Sequence, residues 1–76
     1  MTTWNYRIVH KVYKDEDEYA IHEVYYDDDG APKLVTTNPV SPWGNTYEEF
    51  IEDMAHYISA LARPIIEYDE IPSSVS

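Results

Sequence analysis

Trp4-Asn5-Tyr6-Arg7-Ile8-Val9-His10-Lys11-Val12-Tyr13, followed by Tyr19-Ala20-Ile21-His22-Glu23-Val24-Tyr25-Tyr26, decides the fold class. Both runs are rich in β-branched and aromatic residues, which suit a pleated, half-buried surface. In the first run Trp4, Tyr6, Ile8, His10 and Val12 fall on one face and Asn5, Arg7, Val9, Lys11 and Tyr13 on the other. That period of two predicts a strand with one better-buried face. Lys14 to Glu18 is a short polar link, so the two runs form an antiparallel hairpin. Its register stays open. If paired residue numbers sum to an even value, His10 and His22 share a face; if the sum is odd, His10 joins Glu23 in a cross-strand pair.

Working outward, Asp27-Asp28-Asp29-Gly30-Ala31-Pro32 is a turn in which Gly30 supplies positive φ. Lys33 to Thr37 is a third strand, and Asn38 to Asn45, with two prolines and a glycine, is a loop. Thr46-Tyr47-Glu48-Glu49 matches a capping box. Behind it Tyr47, Phe50, Ile51, Met54, Ile58 and Leu61 form the apolar stripe of an amphipathic helix, which Pro64 ends near Ala62-Arg63. The expected fold is α+β: a three-stranded antiparallel meander with this helix packed on one sheet face (βββα), then a short extended C-terminal segment. Trp4, Tyr6, Tyr47 and Phe50 are the expected large core residues. The other sheet face, with Arg7, Val9, Lys11 and Tyr13, is left to solvent or to a partner. Residues 1–70 read as one domain, and 71–76 as a disordered polar tail.

The composition is lopsided: fifteen acidic residues against five basic ones on 76 positions, a formal net charge of -10 at pH 7. The acids cluster at Asp15-Glu16-Asp17-Glu18, at Asp27-Asp28-Asp29, at Glu48-Glu49 with Glu52-Asp53, and at Glu67 with Asp69-Glu70. Such a field attracts cationic partners and repels bare nucleic acid and anionic membranes. Yet 43% of residues are hydrophobic, eight of them tyrosine, so this is an acidic folded domain and not a solvating tail. There is no cysteine, hence no disulfide framework and no thiolate metal site. With no apolar N-terminal run and no stretch of about 20 apolar residues, the expected setting is the cytoplasm.

Chemistry-bearing patterns are absent. Aligning Gly30 with the invariant glycine of a calcium loop puts Tyr25 and Thr36 where acids are needed, and strands where helices are needed. His10, His22 and His56 have no zinc spacing. No serine sits in a nucleophile elbow, and the two glycines cannot make a phosphate cradle. No catalytic residue, cofactor or metal is expected, and the chain reads as a non-enzyme.

The runs Trp4-Asn5-Tyr6-Arg7-Ile8, Ile21-His22-Glu23-Val24-Tyr25-Tyr26-Asp27 and Asn38-Pro39-Val40-Ser41-Pro42 resemble a group of small uncharacterised bacterial and phage-carried proteins. In size and charge alone the chain is also similar to small acidic phage inhibitors of the anti-CRISPR and DNA-mimic type. That likeness implies a protein-binding module that blocks a basic, nucleic-acid-binding surface. The residues themselves give the same expectation: Asp15, Glu16, Asp17, Glu18, Asp27, Asp28, Asp29, Glu48, Glu49, Glu52 and Asp53 display charge, and Tyr25, Tyr26 and Trp43 anchor the contact. The partner is then a basic protein, with no direct nucleic acid and no membrane. The alternative is a small homodimeric structural or regulatory protein joined through the uncovered sheet face or a sheet edge.

Overall fold

The structure is a computed structural model that describes residues 3–75. Strands β1 (Thr3–Tyr13) and β2 (Glu16–Tyr26) form the long hairpin, and β3 is Pro32–Thr36. Helix α1 covers Tyr47–Ser59 and closes in a 3-10 turn, Ala60–Ala62. Two short strands follow, β4 (Ile66–Glu67) and β5 (Ser73–Val75), separated by a 3-10 turn at Tyr68–Glu70.

The hairpin is tighter than the sequence suggests. Only Lys14 and Asp15 lie between the strands, and both have positive φ, 53° and 65°. That is the signature of a type I′ turn, whose twist matches the strands it joins. Glu16, Asp17 and Glu18 are therefore strand residues and not part of a charged link. Partner numbers sum to 29, as in Val9 opposite Ala20 and Tyr13 opposite Glu16. His10 thus shares a face with Glu23, but its cross-strand partner is Tyr19, while Glu23 lies opposite Tyr6.

The three-stranded meander is corrected to a five-stranded mixed sheet of order β4-β1-β2-β3-β5. β4 runs parallel to β1, and β5 runs parallel to β3. The chain after Pro64 crosses from one sheet edge to the other over the face opposite α1. Ile71, on that crossing, joins Val9, Val24 and Val35 in the buried cluster, with Ile66, Tyr68 and Tyr26 packed against it. The face expected to stay open is therefore closed by this C-terminal strap. Both sheet edges are occupied by strands of two and three residues, too short to template further pairing readily.

α1 covers the other face. Tyr57 and Ala60 are buried there, and the Tyr57 ring lies 4.1 Å from that of Tyr6. The helix is rotated relative to the expected stripe: Tyr47, Ile51, Ile58 and Leu61 are exposed, as is Trp4. Trp4 and Tyr47 are not core residues. Thr46 caps the helix as the sequence predicts, its hydroxyl accepting from the Glu49 amide at 3.1 Å. No helix among the described residues is long and apolar enough to cross a membrane.

Candidate functional site

The period of two places Trp4 and Tyr6 on the helix side of β1, with Glu23 and Tyr25 on the same side of β2. Trp4 packs edge-on against Tyr6, with ring centroids 5.2 Å apart, and 6.1 Å from Tyr25. The Tyr25 hydroxyl donates to Glu23 at 2.8 Å. Asp53, on the first half of α1, gathers three elements: one oxygen accepts from the Tyr6 hydroxyl at 3.3 Å, the other from the Trp43 backbone amide at 2.9 Å. The loop can pass this close because residue 44 is glycine. A Cβ there would run into the Phe50 amide nitrogen and come within 2.8 Å of the Glu49 carbonyl carbon.

Two adjoining open depressions result, sharing Asp53 and His56. The larger, about 510 Å³, is lined by Trp4, Asn5, Tyr6 and Ser59; the smaller, about 380 Å³, by Trp43, Gly44, Glu49 and Glu52. The two tryptophans border this acidic surface while remaining 48% and 68% exposed, an unusual investment of indole area for a domain this small. Burial, with hydrogen bonding to Tyr57, pushes the Tyr6 phenol well above its ordinary range; the bond to Glu23 raises Tyr25, and burial raises Tyr57. The phenols of Tyr6 and Tyr25 stay neutral and donate, to Asp53 and Glu23 respectively. Carboxylates beside exposed indoles can in principle attract guanidinium or ammonium groups.

The remaining predicted site residues are dispersed. Asp15, Glu16, Asp17 and Glu18 sit at the free end of the hairpin, where Asp17 is bound by His10 at 2.7 Å. Asp27, Asp28 and Asp29 lie at the other end of β2; the Asp27 carboxylate accepts from the amides of Asp29 and Ala31, shaping the turn. Tyr26 points to the strap side, away from Tyr25, receives a bond from Arg7 at 2.9 Å and donates to Asn5 at 2.6 Å. It is a strap-side packing residue and does not reach the candidate face. Glu48 and Glu49 occupy the first helical turn, Glu49 within the capping box. The structure thus unites Tyr25, Trp43, Glu49, Glu52 and Asp53, and adds Trp4, Tyr6, Glu23 and His56, which sequence reasoning missed. A tryptophan at the outer end of an alternating strand, beyond the reach of one short helix, was the available signal for Trp4.

Among the described residues no group of three or more His, Asp or Glu side chains is arranged to hold a metal ion. Searches against protein-family models, curated proteins and solved structures return no match. Function is therefore argued from this geometry.

Proposed function

We propose that the protein is a non-enzymatic binding module that docks on a basic protein surface in the cytoplasm, with the Trp4–Trp43 face as its centre. The observation that carries this is the pair of exposed indoles bordering Glu49, Glu52 and Asp53. Arginine or lysine side chains entering the two depressions meet carboxylates and ring faces together. Each cation–π contact contributes on the order of 0.5–2 kcal/mol, the upper end where water is excluded. The wider field speeds encounter and makes the complex sensitive to salt.

The sharper form of this reading is nucleic-acid mimicry of the phage-inhibitor type. Its support is the placement of acids at both ends of β2, on a body 35 Å long, close to the roughly 34 Å of one duplex turn. Carboxylates at the hairpin tip and at the Asp27–Asp29 turn then flank the aromatic centre as phosphates flank a groove.

The test is affinity capture from a bacterial lysate, with elution by salt or by duplex DNA, alongside Trp43→Ala and Trp4→Ala. Elution by both, with loss of capture in the tryptophan variants, supports mimicry. Elution by salt alone leaves basic-surface docking and removes mimicry. Capture unchanged in both variants sinks the assigned face. The loss expected for a buried aromatic anchor is about thirty-fold, from roughly 2 kcal/mol.

A further inference from the structure

β4 covers only Val9 and His10 of β1. Upstream, Thr3 to Tyr6 form the outermost strand of that sheet edge, and among the described residues no other backbone pairs with them there. Alternate residues of an antiparallel strand turn both N–H and C=O away from the partner strand. This edge therefore offers free donors and acceptors. The larger depression opens onto the same edge. Its walls are Trp4, Asn5 and Tyr6 of β1 and Asp53, His56 and Ser59 of α1. No residue of β2 lines it, although Tyr25 and Glu23 stand opposite Trp4 and Tyr6. The Asn5 side chain lies on the strap side, where its Oδ1 accepts from Tyr26 at 2.6 Å. Asn5 thus reaches the depression through its backbone. The result is a groove of about 510 Å³ between a free strand edge and a helix.

We infer that this groove takes an extended, basic segment of the partner as an added strand beside Thr3–Tyr6. The inference rests on the basic-surface docking proposed above and supplies its geometry. Main-chain bonds to a sheet edge give affinity, and pockets for alternate side chains give specificity.

Charge selects both the segment and its pattern. On the α1 side the added strand's side chains face Trp4, Tyr6 and Asp53, with Glu49 and Glu52 in the adjoining depression. On the strap side stands Arg7, bonded to Tyr26 and to the Pro64 carbonyl. Lysine or arginine therefore fits at every second position and is repelled at the positions between. The preferred segment alternates basic with small polar residues, in the period of a strand. Where Pro64 meets Arg7 the chain crosses this edge and ends the groove. About four partner residues then pair, roughly 13 Å of strand.

The experiment titrates the full chain, by NMR at low salt, with a short peptide of alternating Lys and Thr. It is compared with a block isomer that groups the lysines, and with the alternating peptide N-methylated at its lysines or at its threonines. The alternating peptide is expected to bind more tightly than the block isomer of equal charge. Only one set of its amides turns toward β1. One N-methylated form is therefore expected to bind about ten-fold or more weakly, and the other as the unmethylated peptide does. Backbone amides within Thr3–Tyr6 are expected to gain protection from hydrogen exchange on binding. Equal binding by both N-methylated forms, or no gain in protection, overturns the added strand while leaving side-chain docking on the Trp4–Trp43 face. A block isomer that binds equally well overturns the alternating pattern. Failure of every peptide to bind a chain that still shows tryptophan-dependent capture also overturns the inference. The docking reading itself fails separately, when capture is indifferent to Trp4→Ala and Trp43→Ala.

Discussion

His10 stands near the middle of the hairpin with both ring nitrogens donating, at 2.7 Å each, to Asp17 on β2 and Glu67 on β4. Two donors require the imidazolium form, and the bonds to Asp17 and then Glu67 raise its pKa above 6.5. Folding therefore takes up a proton. The stabilisation this gives is fully present below the unfolded value near 6.5 and is lost as pH rises through the raised folded value. In urea denaturation the parent is expected to exceed His10→Gln in midpoint on the acid side of that window, and the gap to shrink above it. A gap that does not change with pH removes His10 as the titrating latch. His22 has a different part: it is fully buried, and its Nδ1 donates to the Thr36 carbonyl at 2.8 Å. That bond requires a proton on Nδ1, and Nε2 is buried with no hydrogen-bond partner among the described residues. The alternating pattern put both histidines on strands, but their surroundings depend on a strap whose crossing the sequence does not announce.

At the scale of elements, the strap completes the core. Ile71 is buried against Val9, Val24 and Val35, one from each hairpin-connected strand. Arg7 ties the strap's start by donating to the Pro64 carbonyl at 2.7 Å. Ile71→Ala is expected to cost about 2–4 kcal/mol by urea denaturation, as large-to-small changes in cores do. Val75→Ala, on an exposed edge position, is expected to cost well under 1 kcal/mol. Equal losses at the two positions would sink the strap as the lid of the core. Thr46→Ala removes the cap on the Glu49 amide and is expected to cost about 1 kcal/mol. The hairpin, β3, the capped helix and its end at Pro64 were legible because each has a local cause: alternation, turn chemistry, a capping box, a proline. β4 and β5 were not, since two- and three-residue strands carry no period and exist only through long-range parallel pairing. The same limit hid the candidate site. Trp43 and Asp53 meet because loop and helix are adjacent in the chain, whereas Trp4 and His56 meet only through the packing of β1 on α1.

At the scale of the whole molecule, the charge acts on stability as well as on partners. Asp27 is held by backbone amides, Asp53 by a phenol and an amide, and Asp17 and Glu67 by His10, so some acids shape the fold. The remaining field still presses a net charge of -10 into a body of 35 × 34 × 24 Å, and self-repulsion opposes the compact state. The unfolded chain spreads the same charges further apart, so screening favours folding until the Debye length falls to the spacing of neighbouring acids. The urea midpoint is therefore expected to rise with added sodium chloride and to level off near molar salt, where the Debye length is about 3 Å. The measurement is repeated at two protein concentrations, which separates any gain from self-association because mass action makes that gain concentration-dependent. A midpoint that falls with salt would mean that attractive pairs such as His10 with Asp17 and Glu67 outweigh the repulsion.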